Sequence, residues 1–147
     1  LYRDNLLVEP DALGADGTSI DLRRVSCPTY IQAGREDHIA PPDSVFKALK
    51  HFSGSNRFVL AGSGHIAGVV NPPAAGKYQY WTNEGDFGSL EEFVAGATEH
   101  PGSWWPDWLD WLRSLEDKKV KATGRRKPGS RSNPALEDAP GSYVKMR

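Results

Sequence analysis

The stretch Arg57–Pro73, RFVLAGSGHIAGVVNPP, constrains this chain more than any other. It opens on Phe58-Val59-Leu60-Ala61, a short apolar run bounded by Arg57 and Gly62. So short a run, rich in β-branched and aromatic character, predicts a buried strand rather than a helix. Gly62 and Gly64 then predict a sharp turn, because glycine lets the backbone bend and come close to other atoms. His65 follows at once. A histidine delivered by such a turn is positioned by a rigid sheet yet reaches a cleft, which is where an α/β enzyme places a general base. For a lone strand–Gly–His the plainer reading, a turn histidine with its ring in solvent, would stand first.

A second stretch shifts that balance. Pro28–Pro42 reads PTYIQAGREDHIAPP. Thr29–Ala33 predicts another strand, opened by Pro28 and closed by Gly34. Arg35, Glu36, Asp37 and His38 occupy the loop beyond it, and Pro41 and Pro42 keep a helix from starting before Asp43. If the two strands are parallel neighbours, both loops open on one edge of the sheet. Asp37 and His65 then become candidates for a hydrogen-bonded pair. A general-base imidazole needs one tautomer and one orientation, and a carboxylate on its far nitrogen supplies both. In an extended loop neighbouring side chains point to opposite sides, so His38 is expected to face away from His65 and to shape the loop.

Between the strands, Asp43–Phe52 predicts an amphipathic crossover helix. Val45, Phe46, Leu49 and Phe52 fall on one face, Asp43 or Ser44 caps the start, and Gly54 ends the helix as a left-handed residue. Upstream, Asp16-Gly17 signals a hairpin within 13–22. Downstream, Lys77–Phe87 is aromatic and polar without a clean period and reads as a loop packed by its own side chains. Ser89 with Glu92 fits a capping box for a helix reaching about Ala97. In WWPDWLDWLRSL, Trp105, Trp108, Leu109, Leu112 and Leu115 recur at helical spacing, which predicts a terminal helix that docks on the sheet and buries its indoles. Pro106 fits only the first turn.

The length of 147 residues suits one domain, and the start at Leu1 rather than Met fits a piece of a longer chain. A net charge of −1 gives no general pull toward nucleic acid or anionic membrane, and no apolar run has transmembrane length. Cys27, the single cysteine, excludes an internal disulfide and reads as a small buried apolar residue. The four histidines show no metal-ligand spacing, and no phosphate-cradling glycine loop occurs. From residue 117 onward Lys118, Lys119, Lys121, Arg125, Arg126, Lys127 and Arg131 alternate with Gly, Ser and Pro. That composition predicts a solvated, flexible tail over 117–147, after a folded part over 1–116.

Four motifs in one order carry a resemblance: REDHIAPP at 35–42, SGHIAGVVNPP at 63–73, WTN at 81–83 and GSWWPDW at 102–108. Together they resemble the C-terminal part of a class I poly(3-hydroxyalkanoate) synthase, and the closing Tyr143-Val144-Lys145 resembles that family's C-terminus. The resemblance implies the C-terminal half of an α/β-hydrolase-like core, with Asp37 and His65 as two members of a Cys–Asp–His triad. The family's nucleophile lies in an upstream Gly-x-Cys-x-Gly elbow that this chain lacks, and Cys27 does not match it. The implied activity is acyl transfer from (R)-3-hydroxyacyl-CoA to a growing polyester, with release of CoA and no cofactor. A homodimer of the full-length enzyme, a granule surface as partner and a cytoplasmic, granule-associated location are implied in the same way. Two other readings stay open: an esterase or lipase using the same Asp and His with a serine, and a non-catalytic piece that binds a partner or granule.

Overall fold

The computed structural model describes residues 4–123 and 127–146. Arg125 and Arg126 of the basic run lie outside the described residues. The chain divides into two units, Leu1–Leu115 and Glu116–Arg147. The second contains an isolated bridge between Gly129 and Pro134 and a 3-10 turn at Ser142–Lys145, with no α-helix or longer strand among its described residues.

The first unit is of mixed α/β type. A hairpin of β1 (Leu13–Ala15) and β2 (Thr18–Ile20) turns at Asp16 and Gly17, with φ of 48° and 74°. Two successive left-handed residues are what a tight type I′ hairpin requires. The main sheet holds β3 (Thr29–Gly34), β4 (Asn56–Ala61), β5 (Gln79–Thr82) and β6 (Thr98–Pro101), in that order. β3 and β4 are parallel, in a register that sets Thr29 opposite Asn56 and Gly34 opposite Ala61. The other two pairings are antiparallel. β5 corrects the expectation of a self-packed loop. Its aromatic residues are strand formers, and they serve both faces, which is why no single-sided period shows: Trp81 enters the core while Tyr80 stacks on His100.

The crossover from β3 to β4 is shorter and tighter than a helix over 43–52. α1 covers Pro42–Phe46 and a 3-10 turn covers Lys47–Lys50. Neither Asp43 nor Ser44 caps it; Pro41 holds the cap position and Pro42 opens the helix, where a missing N–H costs nothing. Nor does Gly54 adopt a left-handed conformation. A Cβ there would sit 2.2 Å from the Cys27 carbonyl oxygen, so close backbone contact requires the glycine. Cys27 itself is exposed, contrary to the buried reading, because it lies in the segment before β3, outside the packed layers.

The core lies between the sheet and the helices. Ile31, Ala33, Phe46, Phe58, Leu60, Trp81 and Phe93 are buried together, with Val45, Leu49 and Phe52 packed against them. α2 (Leu90–Ala95) starts as expected: the Ser89 hydroxyl accepts from the Glu92 N–H at 3.2 Å, while the Glu92 carboxylate accepts from Gly88 at 2.7 Å. α2 delivers Phe93, fully buried, into edge-on contact with Phe58 and Phe87.

The last helix, α3 (Trp105–Leu115), is where the pattern misleads. Trp108, Leu109, Leu112 and Leu115 are exposed rather than buried. Trp104, just before α3, and Trp111 instead meet Tyr30 of β3, at ring separations of 5.9 and 5.4 Å. Charge sets this rotation. Asp107 accepts from the Tyr30 hydroxyl at 2.8 Å and from the Arg57 guanidinium at 3.0 and 2.6 Å. A two-pronged Arg–carboxylate contact is directional in a way that an apolar stripe is not.

Replacing Phe93 with alanine should cost about 3–5 kcal/mol, whereas Val94→Ala on the exposed side of α2 should cost less than about 0.5 kcal/mol. Denaturant midpoints of the two variants check this contrast.

Candidate active site

Because β3 and β4 are parallel and end level, the loops beyond them leave the sheet side by side. The two loops are stitched by backbone: the Arg35 N–H donates to the Ala61 carbonyl at 2.8 Å and the Glu36 N–H to that of Ser63 at 3.1 Å. Space between them is tight at Gly34, where a Cβ would lie 3.1 Å from the Ser63 oxygen and 3.2 Å from the Asp37 Cβ. Gly62 is tighter still against the Gln79 carbonyl oxygen of β5, at 2.9 Å. The sharp turn itself is not made by the glycines. Ser63 carries the left-handed conformation, φ 75°, a region that costs a non-glycine residue on the order of 1 kcal/mol or more.

These loops bring Asp37 and His65 together. Asp37 Oδ2 lies 2.8 Å from His65 Nδ1. Asp37 Oδ1 accepts the N–H groups of Ile39 and Ala40, each at 2.9 Å. Burial by itself would raise the carboxyl. The Ala40 N–H, the His65 ring and the Ile39 N–H outweigh it and hold Asp37 below its ordinary value. An ionised carboxylate only accepts, so Nδ1 is the donor in this pair. A neutral ring then carries its lone pair on Nε2, the atom that a general base uses. The two partners differ in exposure: the Asp37 side chain is 5% exposed and that of His65 46%. Thus the carboxylate is inside and the imidazole ring faces outward.

His38 is exposed and makes no hydrogen bond among the described residues. Cys27 lies at the far end of β3 from Asp37, about 20 Å away at the rise of an extended strand. Among the described residues no group of three or more His, Cys, Asp or Glu could hold a metal ion, and no helix is long and apolar enough to cross a membrane.

The turn that carries His65 holds contacts that the motifs do not reveal. The Gly68 N–H donates to the Gly64 carbonyl at 2.8 Å and the Val70 N–H to that of Ile66 at 2.8 Å, so the segment closes as a single helical turn. The Trp104 indole donates to the Gly68 carbonyl at 2.9 Å, and the Trp105 indole to the Val69 carbonyl at 3.1 Å. The only sequence signal for these contacts is a pair of tryptophans at a helix start, which helical periodicity assigns to an apolar face instead.

Comparison with known proteins then places the chain. No family model matches it. The chain is 47% identical over 146 residues to the poly(3-hydroxyalkanoate) polymerase subunit PhaC of Rhizobium etli, covering 99% of the chain and 22% of that relative. The PhaC subunit of Cupriavidus necator is 43% identical over 146 residues, again 99% of the chain and 24% of the relative. The poly(3-hydroxyalkanoate) polymerase of Methylorubrum extorquens is 50% identical over 129 residues, 87% of the chain and 21% of the relative. By sequence, the chain belongs with the poly(3-hydroxyalkanoate) polymerases. It spans less than a quarter of the length of these relatives, and the four motifs point to the same family and to its C-terminal part.

The lowered Asp37 carboxyl gives the fold around this pair a defined acid sensitivity. A group depressed below its unfolded value stabilises fully above that value, and the contribution is lost as pH falls through the native one. The stability difference between the parent and Asp37→Asn should therefore be widest above roughly pH 5 and should close on acidification. Thermal midpoints of the two proteins across the acid range check it.

Proposed function

We propose that this chain supplies the acid–base half of a polyester-forming acyltransferase whose nucleophile lies elsewhere in the full-length polymerase. The observation that carries the reading is the 2.8 Å bond between buried Asp37 and outward-facing His65, in a chain closely similar to polymerases. In this reading the sheet is the C-terminal half of an α/β-hydrolase-like core, and an upstream cysteine completes the triad.

The substrate is a (R)-3-hydroxyacyl-CoA thioester. His65 Nε2 takes the cysteine proton, and the thiolate attacks the thioester carbonyl. The tetrahedral intermediate collapses with the CoA sulfur leaving, protonated by the imidazolium. Thiol and thioester exchange at nearly equal energy, so loading is reversible. The 3-hydroxyl of a second unit then approaches, His65 accepts its proton, and the oxygen displaces the cysteine sulfur to form an ester. Asp37 keeps Nδ1 as donor and steadies the imidazolium at each step. Water has to stay out, since hydrolysis would release the chain. Ile66, Val69 and Val70 stand on the His65 turn and contribute apolar surface there. In this proposal the growing polyester and its granule surface are partners, the full-length enzyme is a cytoplasmic homodimer, and the similarity to polymerases favours that activity over an esterase's.

Two measurements test the reading. In a full-length polymerase containing this segment, His65→Ala should abolish polymer formation while His38→Ala keeps substantial activity; equal loss in both would end the assignment. The isolated 147-residue chain should release no CoA from a hydroxyacyl-CoA, and steady thiol release from it would show that no outside nucleophile is needed.

A further inference from the structure

We infer that Trp104 and Trp105 are positioning residues for His65, a role that rests on the reading of His65 as the general base. The residues Gly64–Val70 form one helical turn, with His65 in its first half. A single turn cannot satisfy its own end carbonyls, and it has too few internal bonds to hold a fixed orientation. Here two carbonyls at its far end, those of Gly68 and Val69, are taken by two consecutive indoles at 2.9 and 3.1 Å. An indole N–H donates only, so each ring serves as a cap supplied from another element.

The rings are themselves held. The Trp104 ring stacks on Tyr30 at 5.9 Å, and the Tyr30 hydroxyl reaches Asp107, which Arg57 grips from β4. The Trp105 backbone N–H donates to the hydroxyl of buried Ser103 at 3.1 Å. On the other side the turn lies close to the end of β4, since a Cβ at Gly68 would come within 3.1 Å of the Gly62 oxygen and 3.2 Å of the Ser63 oxygen. The histidine turn is thus pressed against the strand end from one side and pinned by indole donors from the other. Asp37 fixes the ring about its own axis; the indoles fix the backbone from which the ring projects. Without them His65 keeps its partner but loses its aim.

The test uses a full-length polymerase containing this segment, with Trp104→Phe, Trp105→Phe, the double variant, Trp111→Phe and His65→Ala. Phenylalanine keeps an aromatic ring and removes the donor. Trp111 of α3 also contacts Tyr30 of β3, but its indole has no hydrogen-bond partner among the described residues, so Trp111→Phe controls for helix docking. Each single variant at 104 or 105 should lower kcat on the order of tenfold and the pair about a hundredfold, with KM and thermal midpoint near the parent's. Trp111→Phe should keep the parent's kcat within about twofold. A double variant with the parent's kcat, while His65→Ala is dead, would overturn the clamp and leave the base assignment standing. A kcat loss matched in Trp111→Phe and tracked by falling thermal midpoint would overturn it too, as mere docking. Full activity in His65→Ala would remove the reading beneath it.

Discussion

Everything at the candidate site depends on one pairing: β3 beside β4, parallel and ending level. Six residue pairs in unbroken register bring Gly34 opposite Ala61. The loops beyond them then start at the same height and lie close enough for backbone to bond to backbone. A slip of one residue would turn Ile31 and Ala33, or Phe58 and Leu60, out of the core, so burial enforces the register that the site needs. The register in turn sets where Asp37 and His65 emerge. The 2.8 Å contact between them is the end of a chain of consequences that begins with buried apolar residues in two short strands.

The opposite end of the same strand pair carries a second fixed point. Arg57 and Tyr30 sit directly across from each other in the register, on β4 and β3, and both hold Asp107 of α3. The Asp107 carboxyl is partly desolvated, which would raise it, but Arg57 and Tyr30 bind it strongly enough to hold it low, while the burial of Tyr30 and its bond to the Asp107 carboxylate push the Tyr30 hydroxyl up. This network decides which side of α3 meets the sheet. Trp104 and Trp105 reach the histidine turn because Asp107 has already fixed the helix rotation. A charged contact near one end of the strands is therefore linked mechanically to the imidazole at the other.

Much of this was readable from residues. Both strands, the hairpin turn at Asp16-Gly17, the capping serine of α2 and the meeting of Asp37 with His65 follow from local rules: period, turn chemistry and loop placement. What escaped was decided by tertiary contact. Lys77–Phe87 shows no period because β5 uses both faces. Gly54 and Gly62 matter for what their missing Cβ would strike, and only packing shows that. The clearest failure is α3. Apolar periodicity picks Trp105, Trp108, Leu109, Leu112 and Leu115 as the inner face, yet an ion pair overrides it and leaves all but half-buried Trp105 exposed. Periodicity weighs side chains by hydrophobicity alone and is blind to a carboxylate that finds an arginine fifty positions earlier in the sequence.

The asymmetry of the Asp37–His65 pair carries a further consequence for the proposed chemistry. A carboxylate held low and inside is a permanent charge, well suited to steadying an imidazolium that forms and vanishes during turnover. The ring it orients is nearly half exposed, and Ile39, Ile66 and Val70 around it are exposed as well. Open to water, such a base would activate water as readily as a hydroxyl or thiol, and ester formation would compete poorly with hydrolysis. The dyad alone thus does not distinguish a polymerase from an esterase. For the proposed polyester synthesis, the exclusion of water has to come from surface laid over these apolar side chains by parts of the protein beyond these residues. In that proposal selectivity between making and cleaving esters belongs to what covers His65, while moving the proton belongs to the two loops that carry Asp37 and His65.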